Sequence, residues 1–139
     1  MDLSKTKINV KAENEGVWVD IDDKTSLLIA RYLNPKHREY VNKKMEPYRR
    51  TQRMGQLSPE VENEIEVDAL SKFVLLDWRH LEDGGKEVPY TTERAAEYLG
   101  DKSLSWFLDI VMESSRDLSM YREEYIEDSA DNVKKLSAG

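Results

Sequence analysis

The sequence has no cysteine, only two histidines and no long apolar run among its 139 residues. Without cysteine there is no disulfide framework, no thiol nucleophile and no cysteine-ligated metal. No stretch approaches the roughly 20 apolar residues of a membrane-spanning helix, and residues 1–5 lack the apolar run of a signal peptide. We therefore expect a cytoplasmic protein that has no membrane partner.

Charged residues are abundant but unevenly distributed. They make up 35% of the chain, apolar residues make up 39%, and the formal net charge is −7, which together indicate a soluble, helix-rich protein. Residues 31–56, the basic block, contain eight basic and two acidic side chains, whereas residues 58–70, the acidic block, contain five acidic and no basic ones. These blocks can pair with each other or with neighbouring copies, so a homo-oligomer is one expectation.

The length fits a single domain that spans residues 1–139. Apolar and polar residues alternate in 6–12 and again in 17–21, which predicts a β-hairpin. Residues 26–32 form either a third strand or a short helix, and we favour the strand. The N-terminal part, residues 6–32, is thus predicted to be a small antiparallel sheet, either a hairpin or a three-stranded meander.

Helix signals dominate the rest of the chain. Asn34-Pro35 breaks the preceding pattern and places a proline at the first turn of a helix, and Ser58-Pro59 adds a hydroxyl cap before a proline at the first helical position. Pro47 should kink or end the first of these helices. The predicted helices cover residues 35–45, 58–79 and 92–99, and a last helix follows Asp101 or Ser103.

These segments together predict an α+β fold. A mainly helical body of about four helices occupies residues 35–130, after the N-terminal sheet. The last helix carries an apolar stripe that continues as far as Tyr125 and Ile126. Residues 131–139 have little to bury, so we expect a flexible tail there.

A buried corner is predicted at the end of the second helix. Residues 73–76 are apolar on every side, so this end should be buried, and Trp78 adds a large side chain whose N–H needs a partner. Gly84 and Gly85 should end the helix, because glycine reaches the left-handed conformation without strain. The structural corner comprises Leu76, Asp77, Trp78, Gly84, Pro89 and Tyr90.

Several separated motifs resemble those of the tail assembly chaperones of long-tailed bacteriophages. The motifs are Leu75-Leu76-Asp77-Trp78, Gly84-Gly85-Lys86, Val88-Pro89-Tyr90-Thr91, Gly16-Val17-Trp18-Val19-Asp20 and residues 28–36. They occur in the order expected for that family and extend over roughly residues 16–125. Their order and spacing together carry the resemblance.

The resemblance implies a non-catalytic protein that binds the tape measure protein and keeps it soluble until tail tube subunits assemble around it. It implies no cofactor, a location in the host bacterial cytoplasm and absence from the mature virion. That family often makes a longer form by ribosomal frameshifting, and we expect the slippery codons at Val133-Lys134-Lys135. The alternative is a structural tail or head–tail joining protein that stays in the virion.

An enzyme is a hypothesis that the residues support poorly. Asp77 and His80 lie three apart on a predicted helix, so the carboxylate can orient the imidazole, but no strained turn presents a nucleophile. Residues 20–23, Asp-Ile-Asp-Asp, lack the central glycine and closing glutamate of a calcium loop. We therefore predict no catalytic, cofactor-binding or metal-binding residues.

Two features suggest possible partner surfaces. The first is the basic block, whose charged and aromatic residues can track a nucleic acid backbone; we expect no nucleic acid, because the acidic block can neutralise this charge in place. The second is an apolar arc on the last helix, which is either core or a surface for another protein. The residues of the basic feature are Tyr40, Lys43, Lys44, Tyr48, Arg49, Arg50 and Arg53. Those of the apolar arc are Leu104, Trp106, Phe107, Ile110 and Val111.

Overall fold

The computed structural model describes residues 1–126, and its sheet joins distant parts of the chain. The sheet consists of three antiparallel strands in spatial order, β1 (Val17–Asp20), β2 (Ser26–Ile29) and β3 (Leu75–Arg79). Strand β2 is central, and its Leu27 lies opposite both Val19 of β1 and Trp78 of β3. The α+β fold class is confirmed, although the third strand comes from the middle of the chain.

The predicted strand over residues 6–12 is wrong, because a short helix, α1 (Val10–Glu15), forms there. The side chain of Asn9 accepts a hydrogen bond from the backbone N–H of Ala12 at 3.0 Å, which is an N-cap. Gly16 ends the helix with a φ of +94°. These two local helix signals outweigh the alternation of apolar and polar residues between them.

The helix predicted over residues 58–79 is too long. Helix α4 (Pro59–Phe73) ends before Val74, whose backbone leaves the helical conformation and whose carbonyl accepts a hydrogen bond from the N–H of Ala30 at 2.8 Å. The next residues form β3 instead. A short apolar run is compatible with a buried helix or a buried strand, and periodicity alone does not separate them.

Gly84 and Gly85 form a hairpin turn and do not end a helix. They join β4 (Glu82–Asp83) to β5 (Lys86–Glu87), which pair in a separate two-stranded sheet. Their φ angles of +62° and +81° are both left-handed. Two successive residues of this kind make the turn that matches the twist of a two-residue hairpin, which explains the glycine pair.

The remaining helix signals predict the structure well, with one exception: Asp101 caps the 3-10 turn Lys102–Leu104, and neither Asp101 nor Ser103 caps the last helix. The other helices are α2 (Pro35–Met45), α3 (Arg49–Arg53), α5 (Thr92–Gly100) and α6 (Ser105–Arg116). Pro47 lies in a short 3-10 turn directly after α2, as expected. Helix α6 is shorter than its apolar stripe predicts, because Asp117 caps a new 3-10 turn by accepting a hydrogen bond from the N–H of Ser119 at 3.1 Å.

The core lies where β2, β3 and the three helices α4, α5 and α6 meet. Leu27 and Ile29 of β2 are fully buried against Leu70 of α4 and Val111 of α6. The 3-10 turn after α6 is fastened to the sheet, because the buried hydroxyl of Tyr121 donates to the carbonyl of Ile29 at 3.1 Å. One apolar cluster therefore holds the sheet and the helices together.

Candidate functional site

The structural corner is organised by the indole of Trp78. This side chain is 5% exposed, and its Nε1–H donates to the carbonyl of Val88 at 2.7 Å. The ring of Tyr90 meets it edge-on at 4.9 Å, and the hydroxyl of Tyr90 donates to the carbonyl of Leu75 at 2.7 Å. Burial raises the pKa of Tyr90 above its usual value. The corner thus ties the segment after β5 to the start of β3.

The other residues assigned to the corner have smaller roles. Leu76 and Asp77 are half-buried in β3, and Gly84 and Pro89 are exposed. The carboxylate of Asp77 accepts a hydrogen bond from the N–H of Trp78 at 2.8 Å. The corner is therefore a structural unit, with Trp78 and Tyr90 as its centre.

The apolar arc of the last helix divides into buried and exposed residues. Phe107 is 3% exposed and Val111 is fully buried, so both belong to the core. Trp106 is 50% exposed, and Leu104 and Ile110 are half-buried. Trp106 and Ile110 lie four residues apart, on one face of α6. With Leu81, which is half-buried, the exposed part forms a small surface. The Trp106 surface comprises Leu81, Leu104, Trp106 and Ile110.

A small cavity of about 110 Å³ opens beside Trp106. Its wall includes Leu81, Leu104 and Phe107 on the apolar side and Asp83 of the β4–β5 hairpin on the polar side. The hydroxyl of Tyr98 donates to the carboxylate of Asp83 at 3.1 Å, and burial together with this hydrogen bond raises the pKa of Tyr98. A cavity of this size admits one apolar side chain of a partner. It is a feature that sequence patterns do not reveal, because the glycine pair of the adjoining hairpin predicts a helix end.

The structure does not bring Asp77 and His80 together in the way the enzyme hypothesis requires. Asp77 lies in a strand and not on a helix, and His80 follows it with a φ of +56°. The Nδ1 of His80 lies 3.2 Å from the carboxylate of Glu87. His80 and Glu87 are both exposed and belong to the hairpin region, so His80 pairs with Glu87 and not with Asp77 as the enzyme hypothesis requires.

The acidic turn at residues 20–23 has a structural explanation. The carboxylate of Asp22 accepts hydrogen bonds from the N–H groups of Thr25 at 2.8 Å and Lys24 at 2.9 Å. These bonds lower the pKa of Asp22 and form the turn between β1 and β2. Within residues 1–126, no group of three or more potential ligands could hold a metal ion.

His37 is a buried titratable group. It is fully buried, its Nδ1 accepts a hydrogen bond from the N–H of Leu33 at 2.9 Å, and its ring lies 5.0 Å from that of Tyr32. Among the described residues its Nε2 has no hydrogen-bond partner. Burial lowers the pKa of His37, because the charged form would lose its hydration.

The lowered pKa of His37 predicts a loss of stability in mild acid. Above about pH 7.5 both folded and unfolded chains carry a neutral imidazole, so it adds no pH dependence. Below about pH 6.5 the unfolded chain binds a proton that the folded chain resists. The free energy of unfolding should therefore fall toward pH 5, by at most about 1.4 kcal/mol per pH unit from this group.

Urea unfolding at several pH values between 5 and 7.5 measures this effect. Asn is the matched replacement at position 37, because its side-chain oxygen can take over the acceptor role of Nδ1. We expect His37→Asn to remove this component of the decline, and His80→Asn to retain it. An unchanged slope in His37→Asn would contradict the assignment.

The basic block and the acidic block interact through charge without a close ion pair, since the charge of Lys44 helps to lower the pKa of Asp68. Within residues 1–126, no ion pair joins them, although α2 and α4 pack together. Asp68 is bound instead by Tyr40, and by Lys72 at 3.0 Å. Partial burial raises the pKa of Asp68, but these hydrogen bonds outweigh it and hold the pKa below its usual value. Tyr40 also packs on the ring of Phe73 at 5.1 Å.

Fold and surface together describe a small α+β protein, and comparison with known proteins identifies it as a phage protein. The YdaY prophage protein family matches residues 32–132, which is more than half of the chain. The chain therefore belongs to this family. The match confirms the phage origin that the motifs indicated, whereas a role in tail assembly goes beyond it.

Other comparisons add no relative. Neither the curated proteins nor the solved structures yield a match to this chain. Every helix within residues 1–126 is too short or too polar to span a bilayer.

Proposed function

We propose that this prophage protein is a non-catalytic tail assembly chaperone that binds the tape measure protein and keeps it soluble during tail assembly. The observation that supports this most directly is the Trp106 surface, where a half-exposed tryptophan borders a cavity of about 110 Å³. Aromatic side chains of this kind often dominate protein–protein binding energy. The family match adds the phage context.

The proposed mechanism is reversible coverage of apolar helix surface. An apolar side chain of the partner enters the cavity between Leu104 and the β4–β5 hairpin. Trp106 and Ile110 cover the adjacent turn of the partner helix. The tape measure protein exposes such surface along its helices before the tail tube forms around it. Charged side chains around the contact keep the complex soluble and restrict the choice of partner.

Further properties belong to the same proposal. The protein acts in the host cytoplasm, needs no cofactor and is absent from the mature virion. A longer, frameshifted form and tail tube subunits are additional candidate partners, and copies of the chain can associate. The codons for this frameshift lie at Val133-Lys134-Lys135, outside the described residues. The proposal includes no nucleic acid partner, and one of the two aromatic rings of the basic feature, that of Tyr40, packs on Phe73.

Co-expression with the tape measure protein from the same gene cluster tests the proposal. We expect the soluble fraction of the tape measure protein to rise when the wild-type chain is present. Trp106→Ala should weaken the purified complex about 30-fold, the effect of a 2 kcal/mol hot spot. Since Trp106 is half-exposed, its replacement should lower the free energy of unfolding by less than about 1 kcal/mol.

Trp18→Ala is the matched control for this experiment. Trp18 is a half-buried tryptophan on β1, with the guanidinium of Arg79 at 3.7 Å from its ring, and it lies outside the Trp106 surface. The Trp18→Ala variant should solubilise the tape measure protein as well as the wild-type chain does. A tape measure protein that stays insoluble with the wild-type chain, or that Trp106→Ala solubilises equally well, refutes the proposed surface.

The second candidate function is a structural tail or head–tail joining protein retained in the virion. The same Trp106 surface would then bind a permanent neighbour. Mass spectrometry of purified particles separates the two functions, because a virion component is present in fixed copies and an assembly chaperone is absent.

A further inference from the structure

A second, larger concavity lies between α1 and α2, and we call it the α1–α2 trough. Its volume is about 820 Å³. One wall is a face of α2 that carries Pro35, Arg38, Glu39 and Asn42 at helical spacing. The floor is formed by residues 31–34, and Arg116 at the end of α6 closes one side.

The backbone of the floor has no free N–H group to offer a partner. The N–H of Tyr32 donates to the carbonyl of Ser115 at 2.9 Å, and that of Leu33 donates to the Nδ1 of His37 at 2.9 Å. The N–H groups of Arg31 and Asn34 also donate to carbonyls, at 2.9 and 3.1 Å. A partner therefore cannot add a strand here. Recognition must use side chains.

The side chains that line the trough carry a small net positive charge, because three arginines (Arg31, Arg38 and Arg116) stand against two glutamates (Glu13 and Glu39). Arg31 is already paired with Glu13, but Arg38 and Arg116 have no carboxylate within ion-pair distance in residues 1–126. The guanidinium of Arg116 lies 4.6 Å from the ring of Tyr32, which holds it against the wall. At the other end, Arg49 donates to the side-chain oxygen of Asn42 at 3.1 Å.

An exposed leucine lines the same trough. Leu33 is 41% exposed and has a φ of +60°, a conformation that is uncommon for any residue other than glycine. Backbone strain of this kind is often found at binding sites. It places an apolar side chain at the floor of a cationic trough. The trough can therefore contact both an acidic and an apolar part of one partner.

We propose that the α1–α2 trough binds an acidic amphipathic helix of a partner protein, with carboxylates on Arg38 and Arg116 and an aliphatic side chain on Leu33. A helix fits because a third helix packed between two others uses side-chain contacts alone. The site is separate from the Trp106 surface, since ten residues of α6 between Trp106 and Arg116 span about 15 Å. The two sites can be occupied independently.

Fluorescence anisotropy with a labelled peptide tests this proposal on the full chain. The probe is an alanine-based helix of about 18 residues with one stripe of glutamate and leucine. The control peptide has the same sequence with glutamine in place of each glutamate. We expect the glutamate peptide to bind at low salt and the glutamine peptide to bind far more weakly. Binding should weaken strongly toward about 0.5 M NaCl.

Three variants locate the contact. Arg38→Glu combined with Arg116→Glu should weaken binding of the glutamate peptide about 30-fold or more. Leu33→Gly, which suits the left-handed backbone, should weaken it about fivefold without lowering stability. Arg50→Glu combined with Arg53→Glu makes the same charge change in exposed side chains outside the trough, and it should change binding by less than about threefold.

The proposal is overturned by any of three results. These are equal binding of the glutamine peptide, equal weakening by the Arg50 and Arg53 control, and no binding of the glutamate peptide at low salt. A tape measure fragment that binds through Trp106 should not displace the glutamate peptide. If it did, the trough and the Trp106 surface would form one continuous site, which would likewise refute a separate site.

Discussion

Trp78→Ala should lower the free energy of unfolding by about 3–5 kcal/mol, the loss typical of a buried tryptophan. The indole is 5% exposed, packs on Tyr90 and Tyr98, and joins β3 to the segment after β5 through its bond to Val88. Because small domains are stable by only about 5–15 kcal/mol, such a loss leaves little of the folded state. Urea unfolding followed by circular dichroism measures it.

A second substitution separates packing from hydrogen bonding at this position. Trp78→Phe keeps most of the apolar contact but leaves the carbonyl of Val88 without its donor, which should cost about 1–3 kcal/mol. Trp106→Ala removes a side chain of the same size that is 50% exposed, so it serves as the matched control. If Trp78→Ala destabilised no more than Trp106→Ala, the corner would not organise the fold.

Asn34→Ala should lower the free energy of unfolding by about 2–4 kcal/mol, since a helix cap and a buried cross-link are lost together. Asn34 is 5% exposed, and its side-chain oxygen accepts from the N–H of His37 at 3.1 Å. Its side-chain nitrogen donates to the carbonyls of Arg31 at 2.8 Å and Phe73 at 2.9 Å. The amide thus starts α2 and fastens it to the end of α4.

Asn34→Asp distinguishes the cap from the cross-link. Aspartate is as good a cap as asparagine, but it cannot donate, and its charge would face the two carbonyl oxygens. We expect it to destabilise nearly as much as Asn34→Ala. Asn9→Asp is the control, because the side chain of Asn9 caps α1 through its oxygen, and it should stay near wild type. A stable Asn34→Asp protein would assign the whole effect to the cap.

Several helix boundaries are predicted correctly from local signals. Pro35 and Pro59 are the first residues of α2 and α4, and Gly100 is the last residue of α5. The side chain of Ser58, however, makes no capping hydrogen bond. The prediction for residues 6–12 is wrong, because the alternation indicates a strand whereas Asn9 caps a short helix there.

The candidate sites were only partly visible in the sequence. Trp106 was identified within an apolar arc, but its neighbours Phe107 and Val111 proved to be core residues. Which of them faces outward depends on how α6 packs against α5 and β2, and no local pattern specifies that. The sequence gives no sign of the α1–α2 trough. Its two walls come from helices that β1 and β2 separate along the chain, and Arg116 closes one side from far along the chain.

The sequence by itself determined the α+β class, most helix starts and the burial of Trp78, because caps, prolines and apolar periodicity act over one or two turns. The tertiary structure decided that residues 75–79 form a strand and that the glycine pair makes a hairpin turn. It also decided that no close ion pair joins the basic and acidic blocks within residues 1–126. The strand at residues 75–79 depends on a partner more than 40 residues away, as in the pairing of Leu27 with Trp78. Long-range pairing is chosen by the whole fold, because a strand is stable only beside its neighbour.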